Sequence, residues 1–313
     1  VVATLSVLRS FGSDFMVADA PPGEGEAAAG DHLQTAYRFW LVGHQLERIA
    51  PPWRDPYSFQ PLVEPQVSLI GWPFGLPFWP FEAAFGPVIA WNLLLLAGIV
   101  AAGLLTYAWL RTLAVAPAAA ALGGLVFAIA PYRLEQSGGH LLGLISLLLP
   151  LALLAVERSR SADSEGTAHR WGALAAAALV SIPLAGQVHL ALGAVPLVLA
   201  YAAVRYRFVT AAWCAGGALA SLGVGIAIRY MLIAGSAEGG GRSLAEVGEY
   251  SAEWVDLVSR RQLGGTEEFV FVGWLTPALG VAGLALLWRR ARGLAVVLGV
   301  AAAVPIILAL GTN

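Results

Sequence analysis

Apolar residues run through this chain in long blocks rather than in alternation. Such blocks fall near residues 87–110, 115–130, 141–156, 171–188, 190–204, 208–230, 269–288 and 293–311. Continuous runs without a period of two predict helices rather than barrel strands. Several are shorter than the roughly 20 residues that cross about 30 Å of hydrocarbon. Pro183, Pro196, Pro277 and Pro305 fall inside them and predict kinks, which neighbouring helices accommodate. Residues 1–10, VVATLSVLRS, are too few to span and read as the remnant of a first transmembrane helix, ahead of the alternative of a cleaved signal.

Two polar stretches, 11–86 and 231–268, separate the blocks. In the first, residues 11–29 are rich in Pro, Gly and acid and predict a loop. Residues 31–49 predict an amphipathic helix with Leu33, Tyr37, Trp40, Leu41 and His44 on one face. Residues 71–86, GWPFGLPFWPFEAAFG, set aromatics between prolines. That composition suits the headgroup level of a membrane and argues against a straight span. In the second stretch, GSAEGGGRS reads as a flexible linker. EYSAEWVDLVSRR follows and predicts a short helix with Glu253 and Asp256 one turn apart.

Composition turns these blocks into a membrane protein. Hydrophobic residues make up 58% of the chain and charged ones 12%, and mean hydropathy is +0.73, more apolar surface than a soluble domain of this length needs. The net charge of −2 and the lack of a basic stripe give no reason to expect nucleic acid. A single cysteine, Cys214, cannot form an intrachain disulfide. Arg111, then Arg158, Arg160 and Arg170, then Arg205 and Arg207, then Arg289, Arg290 and Arg292 fall in short loops. Alternating spans put all of them on one side, which the positive-inside rule makes cytoplasmic. Residues 11–86 and 231–268 are then extracytoplasmic, as are short turns at 131–140 and near Gln187-Val188-His189. The expected fold is an all-α integral membrane protein: a polytopic bundle of about eight helices over 87–313, with a large first extracytoplasmic loop carrying interfacial helices. The expected location is the inner (plasma) membrane, with the active face outside.

The order of segments adds a resemblance. GDHLQTAYRFWLVGHQL heads the first outer loop; WNLLLLAGIVAAGLLTYAWLRTL, GLVFAIAPYRLEQSGGHLLGLISLLLPLALLAVERS, EYSAEWVDLV and FVGWLTPALGVAGL follow. In order and topology this resembles bacterial polytopic membrane proteins of the GT-C glycosyltransferase superfamily. The resemblance implies an enzyme that takes a sugar from a polyprenyl-phosphate-type donor and passes it to a glycan, lipid or protein acceptor at the extracytoplasmic face. It also implies a base or metal ligand in the first outer loop, where Asp31 stands. Position 32 is His32 rather than a second acid, and no HExxH spacing occurs, so a divalent metal has little support and no cofactor is assigned.

Each candidate residue has a plainer reading beside the chemical one. Asp31 is a favoured N-cap with Gln34 at the capping-box position; as a carboxylate at the membrane surface it is also the candidate base for the acceptor hydroxyl. Arg133 is either an interfacial anchor beside Tyr132 or a guanidinium fork for the lipid phosphate. His140 and His189, at outer helix ends, suit interfacial hydrogen bonding or donation to phosphate. Glu253 and Asp256 read as a solvated acidic face or as substrate contacts. Arg229 suits snorkelling or a phosphate. The alternatives to the enzyme are a non-catalytic relative or assembly partner in cell-envelope glycan synthesis and, more weakly, a flippase or transporter. Ionisable side chains are missing from the expected span centres, which counts against ion-coupled transport.

Overall fold

The computed structural model describes residues 9–16, 29–58, 66–67, 71–138, 141–230, 248, 251–259 and 270–310. The expected first-helix remnant lies outside them except for its last two residues, as do the GSAEGGGRS linker and His140. Among the described residues the chain is helical, with one two-residue antiparallel ladder that pairs β1 (Arg54–Asp55) with β2 (Gln66–Val67).

A small layer comes first. α1 (Ala29–Glu47) and α2 (Gly75–Phe85) pack together and lead into α3 (Pro87–Thr112). α1 starts two residues earlier than the pattern predicts, so Asp31 falls in the first turn rather than at the N-cap; a carboxylate is favourable there too, against the helix dipole. The buried face is also rotated. Ala36, Phe39, Leu41 and Val42 are buried, while Leu33 is exposed and Tyr37, Trp40 and His44 are half-buried. The reason is α2, which approaches on the small residues: an added Cβ at Gly43 would sit 2.6 Å from the Trp79 ring, and one at Gly75 would sit 2.6 Å from Val42. Pro80 does not prevent α2 from forming, and the exposed face of α2 is apolar, with Leu76, Phe81 and Phe85. Gly86, at φ 81, then turns the chain into α3.

The bundle follows as α4 (Pro117–Ala128), α5 (Pro131–Gly138), α6 (Leu142–Ile145), α7 (Leu148–Arg160), α8 (Glu165–Leu184), α9 (Val188–Val204), α10 (Phe208–Ile228), α11 (Leu275–Trp288) and α12 (Arg292–Ala309). Three of the helices, α3, α10 and α12, are long and apolar enough to cross a membrane. α4 and α11 are shorter than the expected spans. The expected span 141–156 is instead broken into α6 and α7, and the expected turn 131–140 contains α5. Gly143 seats α6 on α5, because a Cβ on it would lie 2.6 Å from the Arg133 carbonyl oxygen and 2.2 Å from Ser137 Oγ.

Small residues bring the helix backbones together, as in membrane bundles. A Cβ on Gly124 would lie 2.5 Å from the Gly103 carbonyl oxygen, so α3 and α4 touch main chain to main chain. A Cβ on Gly217 would lie 2.7 Å from Ala176 Cα, and one on Gly172 would lie 2.5 Å from the Trp213 ring, which sets α8 against α10. Large apolar side chains stand outside: Leu104, Leu125, Leu219 and Val300 are exposed, and α11 buries no residue at all. Apolar surface of this extent marks contact with lipid or another apolar partner.

Candidate functional site

The first outer segment is stapled to α3 by two neighbouring side chains. Trp91 Nε1 donates to the Met16 carbonyl at 2.8 Å. Asn92, fully buried, donates to the carbonyls of Phe11 (2.9 Å) and Asp14 (2.8 Å) and accepts from the Met16 N–H at 2.7 Å. The start of α1 docks on the same point, since the His32 ring lies 6.4 Å from Trp91 and 5.6 Å from Phe15. Asp31, one residue before His32, therefore belongs to the helical turn seated on Trp91; its side chain lies outside the described residues.

Arg133 reaches the same helix two turns further along, from α5. Its Nε donates to Ser146 Oγ at 2.9 Å, one terminal nitrogen to the Ala128 carbonyl at 2.9 Å and the other to the Gly98 carbonyl at 3.2 Å. The guanidinium also stands 5.7 Å from the centre of the Phe127 ring. Ala128 ends α4, so the cation sits where that helix dipole is negative. With 4% of its surface exposed, Arg133 is an internal clamp between α3, α4 and the α6–α7 turn rather than a side chain reaching the headgroups. No described carboxylate pairs with it.

The other candidates are spread apart. His189 is exposed in the first turn of α9. Glu253 and Asp256 occupy successive turns, not the expected helix, because the Asp256 carboxylate accepts from the Glu253 N–H at 2.8 Å and closes the chain locally. That segment is tied to the end of α12, where the Ala252 N–H donates to the Ala309 carbonyl at 2.8 Å. No described contact joins Glu253, Asp256 or His189 to Arg133. Among the described residues no group of three or more His, Cys, Asp or Glu side chains is placed to hold a metal ion.

Two polar centres carry no weight in the sequence reading. The first is Asp55, 4% exposed at the foot of α1. Its carboxylate accepts from Tyr37 Oη (2.7 Å), Ser58 Oγ (2.6 Å) and the N–H groups of Tyr57 (3.0 Å) and Ser58 (3.1 Å). Burial alone would raise its pKa, but the hydrogen bonds from Ser58 and Tyr37 and from the backbone outweigh that and hold it below the ordinary 3.8. Tyr37 is pushed up to about 12, first by burial and then by its bond to Asp55. Around this acid stands a half-exposed aromatic cluster: Trp40 stacks on His44 at 4.3 Å, and both His44 Nε2 and Arg48 lie 2.8 Å from Tyr57 Oη. The string Asp-Pro-Tyr-Ser was the available signal, since an Asp whose side chain caps the N–H groups two and three residues on is a turn former.

The second is Glu157, 1% exposed in the last turn of α7. Arg205 meets it with two bonds (2.6 and 2.9 Å), Arg160 with two (3.1 and 3.0 Å) and Tyr201 Oη with one (2.8 Å). Trp109 from α3 donates to Tyr201 Oη at 3.0 Å, and Arg207 donates to the carbonyls of Ser159, Arg160 and Ala162. The α11–α12 turn joins this end through Gly293, against Val204. The turns bearing the arginines thus gather at one end of the bundle, and the α1–α2 layer lies at the other.

Compared with models of protein families, with curated proteins and with solved structures, the chain matches none of them.

Proposed function

We propose that the chain is a polytopic membrane glycosyltransferase of GT-C type that moves a sugar from a polyprenyl-phosphate-type donor to a glycan, lipid or protein acceptor at the extracytoplasmic face. The observation that carries this reading is the seating of the Asp31 turn, through His32, on Trp91 at the arginine-poor end of α3. An acid held there stands over an apolar bundle at the level where an amphiphilic donor would present its phosphosugar. Asp31 acts as the base for the acceptor hydroxyl, in a direct displacement with an oxocarbenium-like transition state. Arg133 is a positioning residue: its three bonds tie α3, the end of α4 and the α6–α7 turn together beneath the site and keep a positive charge there. The arginine-rich end is cytoplasmic.

A non-catalytic assembly partner is the second reading, and the full engagement of Arg133 with neutral carbonyls is what favours it. Ion-coupled transport is weaker, because the buried acid Glu157 is held by two arginines and a tyrosine and has no lone pair to offer a passing ion.

The test compares full-length wild type with Asp31→Asn in membranes supplied with labelled polyprenyl-phosphate sugars. The change keeps size and polarity within the first turn and removes the charge. Transfer should fall roughly 100- to 10,000-fold, the range for a lost general base, at unchanged expression. Equal transfer in both would remove Asp31 from the chemistry. Transfer from neither would favour the non-catalytic reading.

A further inference from the structure

A separate feature lies on the far side of the bundle, where α8, α9 and α10 leave a cavity of about 650 Å³. That is within the range of ligand pockets. Its walls are apolar, with Pro183, Leu192, Leu199, Leu219 and Ile226, and its polar members are Ser221 and Arg229. Leu192 and Leu219 are themselves largely exposed, so the cavity is a groove open along its side.

The groove has a polar mouth and a defined depth. Arg229 is exposed just past the end of α10, opposite the arginine-rich end that holds Arg205 and Arg207, and no described carboxylate pairs with it. Along α10 the lining runs from residue 215 to residue 229, about 21 Å at 1.5 Å per residue; along α9 it runs from 188 to 199, about 16 Å. Half of a 30 Å hydrocarbon core is about 15 Å. The depth is that of one leaflet.

We propose that this groove holds one acyl chain of an anionic glycerophospholipid of the outer leaflet, with the lipid phosphate on the Arg229 guanidinium. A groove of single-leaflet depth fits an acyl chain and is short for a polyprenyl chain, so this lipid is distinct from the sugar donor. The inference rests on the membrane placement given above, not on glycosyl transfer.

Full-length protein extracted from membranes into mild detergent, exchanged repeatedly and analysed for retained lipid by mass spectrometry tests it. One anionic glycerophospholipid per chain should survive exchange. Gly225 lines the groove and a Cβ there meets no atom within 4 Å, so Gly225→Phe fills the space without a backbone clash and should abolish retention. Gly223→Leu, on the same helix with equally open space but outside the lining, should keep it. Arg229→Gln should cut the preference for anionic over zwitterionic lipid about fivefold, the worth of one basic residue at an anionic surface. Retention unchanged in Gly225→Phe overturns the groove, and equal retention of zwitterionic lipid by wild type overturns the headgroup assignment. A retained polyprenyl phosphate overturns the choice of lipid. Recovery of the chain in the soluble fraction overturns the membrane placement itself, which the other outcomes leave standing.

Discussion

The two ends of the bundle bury charge in opposite ways. At the arginine-rich end the buried group is an acid, and Glu157 is surrounded by cations: Arg160, Arg205 and a tyrosine hydroxyl fill both of its oxygens. At the opposite end the buried group is a cation, and among the described residues Arg133 meets neutral oxygens, two carbonyls and one serine. Coulomb attraction offsets desolvation in the first case. In the second, the exposed carbonyls at the end of α4 do so, by hydrogen bonding and by the helix dipole. Both solutions hold helices together, but only the first also neutralises the charge. The net positive end therefore has its acid locked away, and beneath Asp31 no described carboxylate pairs with Arg133.

Removing each buried group should separate the two solutions. Glu157→Ala leaves Arg205 and Arg160 facing each other with no acid between them. It should cost roughly 3 kcal/mol, near the lower limit for breaking a buried pair because both arginines can turn to water. Thermal unfolding in nanodiscs reads this, and a loss under about 1 kcal/mol would mean that the pair contributes little. Arg133→Met should cost less, about 2 kcal/mol, since three lost hydrogen bonds are partly offset by the removal of a desolvated charge. Arg133→Lys should do no better, because an ammonium cannot reach Ser146, Ala128 and Gly98 together. A Lys variant as stable as wild type would break the comparison, since it would make the charge rather than the fork the essential property.

Asp55 offers a third arrangement, an acid held by neutral donors, and should give the smallest effects. Tyr37→Phe removes one of its four donors and should cost about 1 kcal/mol, seen as faster amide exchange at Tyr57 and Ser58, whose N–H groups bond the same carboxylate. Its pH dependence has a definite sign. The folded pKa of Asp55 is lowered, so its contribution is fully present above the ordinary 3.8 and is lost as pH falls through the folded value. Tyr37 is raised, so its contribution is fully present below 10.0 and is lost as pH rises toward about 12. Exchange at Tyr57 and Ser58, corrected for intrinsic rates, should therefore quicken at both extremes; a response in acid alone would separate Asp55 from Tyr37.

The two ends also differ in how far they can be read from sequence. The arginine clusters mark which turns belong together, and the Arg205, Arg207 and Gly293 contacts place those turns at one end, as the alternation of spans requires. What the pattern hides is the partner: Glu157 looks like one more loop charge until α9 brings Arg205 to it. The Arg133 end is harder. Residues 141–156 are apolar throughout and show no period, so nothing in them marks the break between α6 and α7. Ser146, at that break, accepts from Arg133, and Gly143 seats α6 on the Arg133 main chain, contacts to a segment outside the run. Asp31 is legible as the head of a helix, but the turn on which it stands is positioned by Trp91, sixty residues later, and only the fold brings them together.

The Glu157 cage also bears on how the chain is made. Arg205 emerges 48 residues after Glu157, a delay of roughly 2 to 10 s at a synthesis rate of 5–20 residues per second. For that interval the α7–α8 hairpin has its acid without the arginine that will bind it most closely. An α9 running in the reversed sense would carry Arg205 to the far end and leave the acid with Arg160 alone. Closing the cage thus ties the direction of α9 to that of α7, because only one sense of α9 brings Arg205 to Glu157.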